Sequence, residues 1–138
     1  MQNRKLLFIC SLFISFCINA KPYKDSIEVD AVSISISADD NKIIFLENVS
    51  LKTGDLVLES DSAIYDELNK TITLEGLPSH IRSLNASKPF NGSASKIIFF
   101  NNSKVELIGS AVMNYDNINI SSSSIVFNPE NGKMSSNK

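Results

Sequence analysis

"KVELIGSAVMNYDNINISSSSIVF", Lys104 to Phe127, alternates apolar and polar residues with almost no interruption. Successive side chains of a strand point to opposite sides, so a period of two over this length gives strands with one face turned to a core. The stretch holds no histidine, no cysteine and only two acids, Glu106 and Asp116. It is built to present a surface, with little reactive chemistry beside it.

The pattern repeats. "KIIFLENVSLKTGDLVLESDSAIY", Lys42 to Tyr65, lies over it at a constant offset of 62 with no gap. Ile43 meets Val105, Phe45 meets Leu107, Val49 meets Ala111, Leu51 meets Met113, Leu56 meets Ile118 and Leu58 meets Ile120. Apolar positions match while their polar neighbours change, as expected when the repeated property is a face. A weaker copy, "ESDSAIYDELNKTITLEG" against "SASKIIFFNNSKVELIG", lies between them with one gap. Such self-similarity predicts equivalent strand pairs stacked around a continuous core.

Nowhere after residue 20 do apolar residues keep a helical spacing, and β-branched and aromatic residues cluster in short runs instead. The runs predict strands at 27–37, 42–52, 55–65, 70–75, 79–84, 94–100, 104–114, 117–127 and 133–135. "TGD", "DELNK", "NNSK" and "NPENGK" between them are turns. The fold class is therefore all-β and antiparallel. Ile43, Phe45, Val49, Leu51, Leu56, Leu58, Leu107 and Met113 form the inward stripe, while Ile44, Leu46, Val57, Val112 and Val126 fall on the face expected to meet water. Periodicity alone does not separate a ligand-lining stripe from a plain sandwich core. Strands at both ends lack an obvious cap, which suits strand addition to a partner or to another copy.

The first twenty residues, "MQNRKLLFICSLFISFCINA", have a basic start at Arg4 and Lys5, an apolar run from Leu6 to Ile18, and Ala20 at a suitable cleavage position. They read as a signal peptide cleaved after Ala20, leaving 21–138 as one domain. Cleavage removes both cysteines, Cys10 and Cys17, so the exported chain would carry neither disulfide nor thiolate chemistry. It also leaves eleven basic residues against fifteen acidic ones, scattered and without a basic stripe, which argues against nucleic acid.

Catalytic and metal chemistry find little support. His80 is the only histidine, and a metal site would need carboxylates alone. Asp39-Asp40 and Asp66-Glu67 fall in turns. There is no GxxxxGK[ST] loop and no G-x-S-x-G elbow. We expect no enzyme activity, no metal and no cofactor.

In order along the chain, "ISISADDNK", "FLENVSLKTGDLVLESDSAIY", "ITLEGLPSHIR", "KPFNGSASKIIFF" and "VELIGSAVM" resemble the OstA-like family of lipopolysaccharide transport. The likeness runs from about Ser26 to Ser135. It departs at Glu47, where the family has glycine (Gly109 keeps it in the repeat), at Ser60, and at Ser122, Ser123 and Ser124, which replace Ala-Asp positions. The resemblance implies a slightly twisted, open β-jelly roll with a V-shaped apolar groove, and places Ile34, Ile36, Ile81, Ile97 and Phe99 in it. It also implies a periplasmic bridge that shields the lipid A acyl chains of lipopolysaccharide on the way from inner to outer membrane. The partners implied are an LptC-like subunit of the inner-membrane LptBFG transporter, an LptD-like outer-membrane translocon, and further copies joined head to tail. The alternative within the family is a membrane-anchored adaptor acting mainly through strand edges, distinguished by whether residues 1–20 are retained. The physics suits a shielding role: each buried methylene is worth about 0.8 kcal/mol, so one acyl chain gains on the order of 10 kcal/mol by leaving water.

Overall fold

The computed structural model describes residues 27–100 and 104–137. The expected signal peptide and its cleavage after Ala20 lie outside them. Within them run nine strands: β1 (Ile27–Asp30), β2 (Ser33–Ser37), β3 (Lys42–Thr53), β4 (Leu56–Asp66), β5 (Thr71–Ser83), β6 (Phe90–Phe100), β7 (Val105–Tyr115), β8 (Ile118–Phe127) and β9 (Met134–Asn137). All pair antiparallel in one sheet of order β1-β3-β4-β5-β6-β7-β8-β9, with β2 also on β3.

The two layers of the sandwich are two halves of this single meander. Register shifts fall between Leu46 and Val49, Glu59 and Ser62, Glu75 and Ser79, Ser93 and Lys96, and Ile108 and Ala111. They line up across the sheet as a crease, since an extra residue in one strand bends it. Folding there brings the far ends of the strands together. Phe90 pairs with Tyr115 at one end of the β6–β7 ladder and Phe127 pairs with Val105 at the other, yet the Phe90 and Phe127 rings lie 4.7 Å apart, edge to face. In a flat sheet these positions would be separated by roughly 30 Å. Layer I holds β2, β9 and the halves at 42–46, 62–66, 71–75, 96–100, 105–108 and 124–127. Layer II holds β1 and the halves at 49–53, 56–60, 79–83, 90–94, 111–115 and 118–122.

The internal repeat is a structural repeat. Ile43 pairs with Tyr65 and Val105 with Phe127, while Thr53 pairs with Leu56 and Tyr115 with Ile118, all at the offset of 62. The bulges coincide too. Glu47 and Asn48 have φ of 64° and 49°, and their equivalents Gly109 and Ser110 have 85° and 47°. The backbone makes the same left-handed bend although glutamate stands where the repeat has glycine. Glutamate holds that conformation at a steric cost that glycine escapes. Glu47→Gly is therefore expected to raise stability by about 1 kcal/mol, read as a higher urea midpoint with unchanged slope.

Three boundaries differ from expectation. The run at 27–37 is two strands, because the chain leaves layer II after Asp30 and enters layer I at Ser33, both times against β3. The runs at 70–75 and 79–84 are one strand, β5, passing through the crease. Pro78 is tolerated there because the register shift between Glu75 and Ser79 needs no ladder donor at that point. Strand β6 begins at Phe90, earlier than the apolar run suggested, since Asn91 and Ser93 face outward between inward Phe90, Gly92 and Ala94.

The turn acids serve the turns. Asp66 Oδ1 accepts hydrogen bonds from the backbone N–H groups of Leu68 and Asn69, and Oδ2 accepts one from the Asn69 amide. Those bonds to Asn69 hold the Asp66 carboxyl below its ordinary value. Because the folded value is depressed, this contribution is present above the unfolded pKa and is lost as pH falls through the folded one.

Candidate functional site: an apolar interior open at both ends

Of the thirteen residues expected to line the groove, ten meet in one buried cluster: Phe45, Val49, Leu51, Leu56, Leu58, Ile81, Ile97, Phe99, Leu107 and Met113. Ile43 packs against it partly buried. Ile34 and Ile36 are 55% and 73% exposed, although they pair with Phe45 and Ile43 and so share the inward face. The interior is thus filled along its middle and uncovered at its margin.

That margin is where the sandwich ends. At the N-terminal edge, Ile27 on layer II pairs with inward Thr53 and is 42% exposed, facing the same interior as Ile34 and Ile36 on layer I. At the opposite edge, β9 covers only residues 124–127 of β8. The other half of β8 has no ladder partner on its outer side among the described residues, and inward Ile118 is 59% exposed. An apolar face therefore crosses the whole molecule and surfaces at both ends. Exposed singly, such residues are unremarkable; here they continue one buried stripe.

Opposite the crease lies a third margin, where the hairpin ends of the two layers meet. Phe127 from layer I sits against Phe90 and also, at 6.0 Å, against Tyr115 of layer II. Beside this contact is a cavity of about 250 Å³, lined by apolar Leu56, Phe90 and Phe99 and rimmed by Asp55, Asn85, Lys88, Pro129 and Glu130. Packing of Leu107 from layer I onto layer II depends on Gly92: a Cβ there would lie 3.0 Å from Leu107 Cδ2, and 2.9 Å from the Val112 carbonyl oxygen of the neighbouring strand.

No charged residue belongs to the buried cluster. The pairs Arg82–Glu59 at 3.9 Å, Lys96–Glu75 at 3.4 Å and Lys104–Glu106 at 3.6 Å are solvated. His80 sits beside Glu59 in β4–β5 register on the outer face of layer II. Among the described residues no group of three or more histidines, cysteines or acids gathers as for a metal. One outer residue departs from expectation. Val57 is only 2% exposed, between its cross-strand neighbours Lys52 and Arg82, whose long stems can cover it.

This creased sheet with an apolar interior has known counterparts. A family model described as LptA/(LptD N-terminal domain) LPS transport protein matches residues 28–133. The chain belongs to this family. Comparison with curated protein sequences finds no match. Among solved structures it is similar to LptH from Pseudomonas aeruginosa, described as the LptA homologous periplasmic component of the lipopolysaccharide transport device. The TM-score is 0.74 at 17% identity, with 82% of each chain covered. At that identity the likeness concerns the fold, an open β-jelly roll.

Within this LPS transport family the motifs acquire reasons. The Gly-x-Ala at Gly92–Ala94 sets two small inward residues in the core, Gly92 leaving room for the Leu107 and Met113 side chains and Ala94 being fully buried. Reasoning from sequence omitted Phe90, Phe127 and Ile27 from the candidate lining, and read Ile118 as inward without counting it among the lining residues. Phe127 is the repeat equivalent of Tyr65, and Phe90 has the same parity as Gly92, so both signals were present in the pattern.

Proposed function

We propose that this chain is a periplasmic bridge protein that binds lipopolysaccharide, shields the lipid A acyl chains in its interior, and passes the lipid from the inner towards the outer membrane. The observation that carries this reading is the inward apolar stripe surfacing at both ends of the sandwich, at Ile27, Ile34 and Ile36 and again at Ile118. A protein that only needed a core would close it off; a relay needs one continuous with the next molecule's.

Edge geometry supports head-to-tail stacking. The N-terminal edge offers β1 on layer II and β2 on layer I, and the C-terminal edge offers the bare half of β8 on layer II and β9 on layer I. Layer matching sets β1 against 118–122 of the next copy and β2 against its β9. In such a stack Ile27 would lie beside Ile118 and the two interiors would join. The same edges would serve an LptC-like partner at the inner membrane and an LptD-like partner at the outer membrane. The sequence has no GxxxxGK[ST] loop, and in this reading direction is supplied by a partner.

A parity experiment tests the lipid site. With a photo-reactive amino acid at Ile36 or Phe99, both inward, crosslinks to lipopolysaccharide are expected in cells. At the outward neighbours Ser35 and Ile98 they are expected to be absent. Equal labelling from both faces, or none from the inward pair, overturns the reading.

A further inference from the structure

The filled interior poses a problem that the open ends do not solve. Leu51, Leu58, Leu74, Ile97, Leu107 and Met113 are fully buried, so no channel wide enough for an acyl chain runs between the ends. Something must move before lipid can lie inside. Resting on the lipid-binding reading above, we propose that lipid is loaded sideways, through the seam opposite the crease, by the two layers swinging apart about the crease.

Three observations point to this motion. Separating strands within a layer would break ladder hydrogen bonds, each worth about 1 kcal/mol and costly when left unmade. Swinging the layers about the crease leaves the ladders within each layer paired. The crease is already where the ladder is interrupted, on five successive strand pairs. Left-handed residues bend the backbone there in both copies of the repeat. The seam, finally, is partly open. Its cavity has an apolar floor of Leu56, Phe90 and Phe99, and from it a chain could advance between the layers. Apolar surface uncovered by the swing is covered again by the acyl chain that enters, so the opening is offset by the ligand that needs it. The Phe127 ring, wedged on Phe90 and Tyr115, then acts as the latch.

Lys88 and Pro129 line the seam cavity from opposite layers, one in the turn after β5 and the other in the turn after β8. Both lie in turns, so changing them leaves the core intact. The test uses the full chain with Cys10→Ser and Cys17→Ser, carrying Lys88→Cys and Pro129→Cys bridged by a short bis-maleimide. The probe is fluorescently labelled lipopolysaccharide. Bridging is expected to slow or weaken uptake by about tenfold or more, because it removes the competent open state. The control is an identical bridge at Asn91→Cys and Asn114→Cys, neighbouring positions within layer II, which is expected to leave uptake unchanged. Uptake by the seam-bridged protein equal to that of its unbridged form overturns sideways loading and leaves the ends as the route. Failure of the unbridged protein to take up lipid at all removes the lipid-binding reading, and this inference with it.

Discussion

Phe127→Ala is expected to lower the unfolding free energy by about 3–5 kcal/mol. The ring is fully buried and is the largest side chain so placed. It packs edge to face on Phe90 and tilted on Tyr115, so the truncation removes both transfer energy and the ring contacts that tie layer I to layer II. Phe127 is held in ladders on both sides, against Val105 and Met134, so little backbone can collapse to fill the space. A domain of this size has only about 5–15 kcal/mol to lose. The variant should therefore remain folded at low temperature with a much reduced urea midpoint. Val126→Ala, one residue earlier and facing outward, should cost under about 1 kcal/mol. If the two variants unfold at the same midpoint, the seam is not a structural closure and Phe127 is not its latch.

The contrast between Phe127 and Val126 is also what the sequence made legible. Alternation and the offset of 62 foretold the strands, the inward parity and even the shared register of β3–β4 and β7–β8, because all of these are local properties of one period. What they could not foretell is how a strand bends. Pro78 looked like a break between two strands, yet β5 continues through it, because the crease falls there and relieves the ladder of a donor. Glu47 stands where the repeat has Gly109, yet the backbone bends there as it does at Gly109, since neighbouring strands fold along the same line. Exposure was equally hidden. Ile36 and Leu51 are both inward by parity, and only the ending of the sheet at β2 leaves one in water and the other at no exposure. Lining and core separate at the margins of the fold, which depend on strand lengths and not on periodicity.

That separation makes Ile36 the most informative position for function. At 73% exposure it contributes little to the core, so Ile36→Asp should change stability by no more than about 0.5 kcal/mol. Its side chain nevertheless sits on the inward face, opposite Ile43, where a lipid leaving one copy for the next would cross. A carboxylate there must either lie unpaired against hydrocarbon or hold the lipid away, a penalty of several kcal/mol. Transfer of labelled lipopolysaccharide between copies should then fall by about a hundredfold, since each 1.4 kcal/mol is a factor of ten. Ser35→Asp adds the same charge to the same short strand but on its outer face, and should transfer lipid normally. Both variants leave the backbone of β2 free to pair, so edge association serves as an internal check that stacking survives. Normal transfer by Ile36→Asp, with stacking intact, would mean that the exposed end of the stripe is not on the lipid's path. Loss of transfer by both variants would place the defect in the edge contact and not in the interior.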